Sequence, residues 1–116
     1  MEAEEKQRFI RRMARRNRAN RLGRRIMWSR HGIAELANEG WVRRDVEKGL
    51  ESCTVIENYP AVHRPLPDCL VLAWLRADKP FHAVVAIDEP NDRLFMVTVY
   101  TPSPEEWEHD WKTRKC

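Results

Sequence analysis

The sequence predicts an α+β fold: a basic N-terminal helix, two short helices, a four-stranded, mainly antiparallel sheet and a C-terminal helix. Three observations predict it. Helical spacing governs the chain up to Leu50, and β-rich runs punctuated by Pro, Asp and Asn follow. The chain then closes on a helix-capping signature ahead of two tryptophans spaced four apart.

On a helical wheel of residues 8–18, Arg8, Arg11, Arg12, Arg15, Arg16 and Arg18 fall on one half, and Phe9, Ile10, Met13 and Asn17 on the other. Such a narrow apolar stripe suits weak docking on the domain or on a partner. Gly23 marks a break, so residues 1–25 read as an arginine-rich arm and 26–116 as a single α+β domain. Ser29 is the expected N-cap of a helix through IAELANE, which Gly40 ends. Val42, Val46 and Leu50 give VRRDVEKGL its helical stripe. TVIENY, CLVLAWL, FHAVVAI and LFMVTVY read as strands, the last two joined by the turn DEPNDR into an antiparallel hairpin. CLVLAWL and FHAVVAI are apolar at both alternating sets, which predicts a sheet covered on both faces. Ser103, Pro104 and Glu106 have the spacing of a capping box, with Trp107 and Trp111 on one face of the helix expected there.

A chain of 116 residues has room for one core, and 42% hydrophobic with 34% charged residues suits a soluble globular domain. The net charge of +3 conceals a division: residues 1–25 sum to +7 and residues 26–116 to −4. Charge gathered in this way favours a polyanionic partner. Arginine forks donate paired hydrogen bonds to phosphate, so Arg8, Arg11, Arg12, Arg15, Arg16, Arg18, Arg21, Arg24 and Arg25 are the candidate nucleic-acid contacts. The run has no aromatic residue beyond Phe9, which favours backbone contact over base readout. An acidic protein partner and a homodimer stay open. No apolar run is long enough to span a bilayer, and the amphipathic face is too small to favour a membrane surface. MEAEE resembles neither a secretory signal nor a presequence, and Cys53, Cys69 and Cys116 lack metal-ligand spacing. These features predict a cytoplasmic protein with reduced thiols and neither metal nor cofactor. No glycine motif supports a phosphate-binding loop, the acidic turn Asp88, Glu89, Asp92 reads as solvated, and the tryptophans read as packing residues.

Arg30 and His31, the step from Gly40 to Val42, His82 in a strand, and Val99 to Pro102 occur in a combination that resembles a small bacterial family known as a domain of unknown function, DUF 4258. The resemblance covers about residues 28–111 and leaves the arm outside. Its helix-then-sheet layout resembles small RNA-cleaving toxins, so it implies a metal-independent endoribonuclease and an antitoxin-like partner. Such cleavage needs a base for the 2′-hydroxyl proton, an acid for the leaving oxygen and a cation for the phosphorane. His31, His82 and Tyr100 are the acid–base candidates, and Arg30 the phosphate stabiliser; His63 with Arg64 reads as a solvated loop pair. Each has a bland alternative: a capping residue for His31, a hydrogen-bonded core histidine for His82, a packing ring for Tyr100. A non-catalytic RNA- or protein-binding module using the arm is therefore the second expectation. Hairpin register bears on the choice. Pairing Asp88 with Arg93 puts His82 opposite Val99, whereas a shift by one puts His82 opposite Tyr100.

Overall fold

A computed structural model describes residues 1–20, 25–61 and 65–116. Helix α1 (Ala3–Ala19) begins where the Glu2 amide donates to the Glu5 carboxylate, with Glu4 and Glu5 in its first turn and Arg16 and Arg18 in its last. Its apolar stripe is not weakly docked. Phe9 is 2% exposed, Ile10 and Met13 0%, and all three belong to the core. Strand β1 (Ile26–Trp28) follows, then helix α2 (Arg30–Glu39), in which the Ser29 hydroxyl oxygen accepts from the Gly32 amide as a cap should. Gly40, at φ 72°, ends α2. Helix α3 (Arg43–Gly49) and a 3₁₀ turn (Leu50–Ser52) lead into β2 (Thr54–Asn58), β3 (Asp68–Arg76), β4 (Lys79–Asp88) and β5 (Arg93–Tyr100).

The sheet differs from the one expected. It has five strands in the order β1-β5-β4-β3-β2, and β1 runs parallel to β5, so it is mixed. β1 escaped sequence reading because three residues are too few to show alternation, and its partner lies far along the chain. The expected C-terminal helix is also absent: no helix occurs among residues 103–116. The Ser103 carbonyl accepts from Glu106 and Trp107, completing one turn. The Asp110 carboxylate then captures the amides of Lys112 and Thr113, a local bond that competes with the helix. Trp107 bridges back to Arg114, and Trp111 adopts φ 61°.

α1 and α3 cover one face of the sheet. Cys69, Val71, Phe81, Ala83, Val85 and Val99 point into that core. α2 lies against β5, where its approach depends on Gly32: a Cβ there would meet the Met96 carbonyl at 2.8 Å. The opposite face carries Leu70, Leu72 and His82, each 3% exposed or less, and residues 107–114 fold over it. α1 also runs along the β2 edge. Gln7 accepts from the Val55 amide, Arg11 donates to the Cys53 carbonyl, and the Lys6 ammonium, 2% exposed, donates to Asn58 and to the carbonyls of Tyr59 and Asp68.

Both hairpin registers occur in one hairpin. From Asp88 to Val85 the pairing is that of Asp88 opposite Arg93; from Val84 to His82 it is that of His82 opposite Tyr100. Val97 is the extra residue between them. A second bulge, at Ile56, lets Glu57 pair with Leu70. Side chains alternate faces, so each bulge turns every later residue of its strand over.

Candidate functional site

The two bulges converge on one place. Without the one at Val97, Tyr100 would sit opposite Phe81 and point into the helix-covered core; with it, Tyr100 joins His82. Without the one at Ile56, Glu57 would share the face of Val55, which packs against the core; with it, Glu57 emerges in the row beside His82. Bulges that re-aim side chains in this way are common beside active sites.

His82 is 0% exposed and satisfied at both nitrogens. Nε2 lies 2.7 Å from the Trp111 carbonyl, which only accepts, so Nε2 carries the hydrogen. Nδ1 is then the acceptor, and the Tyr100 hydroxyl donates to it across 3.3 Å. Burial holds the His82 pKa below its ordinary value, which favours this neutral tautomer, and burial raises that of Tyr100. The left-handed turn at Trp111 brings its carbonyl to Nε2; a bulky residue in that region is strained, and such strain is retained where surroundings enforce it. Trp107 packs edge-on against the imidazole at 4.5 Å between centroids.

Around this pair lie groups that the sequence did not single out. Arg114 donates to both oxygens of Glu57, at 2.6 and 3.2 Å, and stacks over Trp107. Its fork holds the Glu57 carboxyl below the usual carboxylate range. The Tyr59 hydroxyl donates to Glu57 at 3.1 Å, and burial together with Glu57 pushes its pKa up to about 12. The sequence signal was hidden because Glu57 reaches this face only through a bulge, and Arg114 only through a C-terminal hairpin.

The other candidates lie elsewhere. His31 and Arg30 are exposed in the first turn of α2 and form no hydrogen bond or ion pair with His82 or Tyr100. His63, Arg64, Arg21, Gly23 and Arg24 lie outside the described residues. Arg11 is partly buried on the Cys53 carbonyl, and Arg18 grips Glu51 at 2.7 and 3.1 Å. Arg16 approaches Asp92 only to 3.7 Å with both side chains about half exposed, and Arg25 donates to the Asp92 carbonyl. Among the described residues, Arg8, Arg12 and Arg15 pair with no carboxylate, and they share the outer stripe of α1 with Arg16. An open cleft of about 390 Å³ lies among Arg16, Ala19, Asn20 and Arg25. Among the described residues no three His, Cys, Asp or Glu side chains converge on a metal site, and no helix is long and apolar enough to cross a membrane.

A mixed five-stranded α+β sheet with a buried histidine opposite a strand-end tyrosine describes the class of domain. The family model described as "Domain of unknown function (DUF4258)" matches residues 28–101, more than half of the chain, and the chain belongs to that family. The match takes in His31, Glu57, His82 and Tyr100 and leaves out α1 and Arg114. No curated protein and no solved structure matches.

Proposed function

We propose that the protein is an RNA-associated, metal-independent endoribonuclease of the cytoplasm whose chemistry centres on His82 and Tyr100. The observation that carries the reading is their juxtaposition: neutral His82 fixes the Tyr100 hydroxyl at a strand end, with a carboxylate and a guanidinium, Glu57 and Arg114, within electrostatic reach. Acid, base and cation are the set that 2′-hydroxyl attack on phosphate requires. The exposed arginine stripe of α1 supports the choice of substrate, because it offers phosphate contacts with little base readout. An acidic antitoxin-like protein would compete for the same stripe.

A second reading is a non-catalytic RNA-binding module. The 0% exposure of His82 favours it, since a core histidine needs no more than the two partners it has. One preparation separates the two. Full-length protein is incubated with total RNA and a chelator, and binding is measured alongside. Fragments ending in 2′,3′-cyclic phosphate are expected; RNA that is bound but intact leaves only the second reading.

A further inference from the structure

We propose that Glu57, Arg114 and Tyr100 form the substrate-facing part of a phosphodiester-cleaving site, with His82 beneath them as a positioning residue. This rests on the endoribonuclease reading and assigns the work within it. Accessibility sorts the roles. The Glu57 side chain is 24% exposed and that of Arg114 56%, and Tyr100 is half-buried, whereas His82 is 0% exposed and cannot touch substrate. Two separate bulges turn Glu57 and Tyr100 onto this face, which a folding core alone does not require.

The Glu57–Arg114 pair is the working contact. The pair is bidentate, but Arg114 is open to solvent at 56% exposure, and its planar fork fits phosphate as well as it fits carboxylate. An RNA phosphodiester therefore competes with Glu57 for Arg114, and the carboxylate it releases stands beside the bound phosphate. Tyr59 keeps hold of Oε1 and so keeps Glu57 in place. In the step itself the 2′-oxygen bonds to phosphorus and its proton passes to Glu57. The bond from phosphorus to the 5′-oxygen breaks, and the Tyr100 hydroxyl turns from His82 Nδ1 and gives its proton to that oxygen. Arg114 neutralises the added charge on the phosphorane. The products are a 2′,3′-cyclic phosphate and a 5′-hydroxyl, and a proton returned from Glu57 to Tyr100 resets the site. No oxidant, metal or co-reactant enters the balance.

The charged and titratable groups facing Glu57 are Arg114 from the C-terminal hairpin, Tyr59 after β2, His82 on β4 and Tyr100 on β5. The test is steady-state cleavage of a short RNA oligonucleotide in chelator, with folding followed by circular dichroism. Glu57→Gln and Arg114→Lys are expected to lower kcat/KM by about 100-fold or more. Arg114→Lys also moves the acid limb of the kcat/KM profile to higher pH, since the fork that keeps Glu57 ionised is gone. His82→Gln lowers kcat and leaves KM unchanged, as a group acting only through Tyr100 must. Tyr100→Phe keeps the ring and loses the proton donor, and it decides the matter if a surface variant does not fold. Folded Glu57 and Arg114 variants that cleave like the wild type, with Tyr100→Phe still impaired, overturn the site while the endoribonuclease reading stands. A Tyr100→Phe variant that also cleaves like the wild type overturns the reading centred on His82 and Tyr100. RNA left whole by the wild-type protein overturns both.

Discussion

Lys6 shows how much one side chain in α1 holds. Its ammonium is buried, and its partners are the Asn58 side chain and the Tyr59 carbonyl, at the end of the strand that carries Glu57, and the Asp68 carbonyl at the start of β3. Lys6→Met preserves the volume and strands those acceptors, so a loss of about 2–3 kcal/mol is expected in urea denaturation. Lys6 attracted no attention in the sequence because a lysine beside glutamates reads as solvated. His82 makes a second residue-scale prediction. Its folded pKa lies below its unfolded one, so the unfolded chain binds more protons as the solution acidifies. The stabilising contribution is full above the ordinary histidine range and declines as pH falls through it, by at most about 1.4 kcal/mol per pH unit. Urea midpoints taken at descending pH should fall, and His82→Phe should flatten that part of the curve. The contribution of Glu57 is lost at lower pH than that of His82. It starts to decline in the ordinary carboxylate range, where the unfolded chain takes up its proton, and is gone once pH has fallen through the depressed folded value that Arg114 sets.

At the scale of elements, α1 is where charge and packing compete for interpretation. Its arginines dominate the sequence, yet Phe9, Ile10 and Met13 share one core with β3, β4 and β5. Ile10→Ala should therefore cost about 2–5 kcal/mol, and removal of residues 1–20 should abolish the cooperative urea transition. A truncated chain that unfolds as sharply as the full one would show α1 to be an appendage. Ser29 and Gly40 were legible because caps are local chemistry, and the strands from β2 to β5 because their apolar runs are long. β1, the bulges at Ile56 and Val97 and the C-terminal hairpin were not legible, since each depends on a partner distant in sequence. The site inherits that division. His82 and Tyr100 could be named from the strand pattern, but Glu57 could not, because plain alternation assigns it to the wrong face. The expected helix at 103–116 lost to Asp110, whose carboxylate satisfies two amides locally and aims Trp111 at His82.

At the scale of the whole molecule, the proposed RNA contacts and the proposed site lie on different sides of the sheet. The exposed arginines of α1 lie on the helix-covered side of the sheet, and Glu57, Tyr100 and Arg114 on the other, in a body measuring 39 × 32 × 24 Å. The two sides meet along the β2 edge, where Lys6 joins α1 to Asn58 and Tyr59. Under the proposed function an RNA strand would have to pass around that edge to touch both, so a dinucleotide would fill the site alone and a long strand would gain the stripe as well. Replacing Arg8, Arg12 and Arg15 together by Gln should weaken long-RNA binding and make its log–log salt dependence shallower by about 2, near 0.7 per lost single-strand phosphate contact. KM for a dinucleotide should not change, nor should kcat for either substrate, because none of the three reaches Glu57 or Tyr100. Titrations at several salt concentrations measure the first effect, and steady-state kinetics on both substrates the second. An unchanged salt slope removes the stripe from RNA binding, and an equal loss on the dinucleotide shows that these arginines act on the site itself.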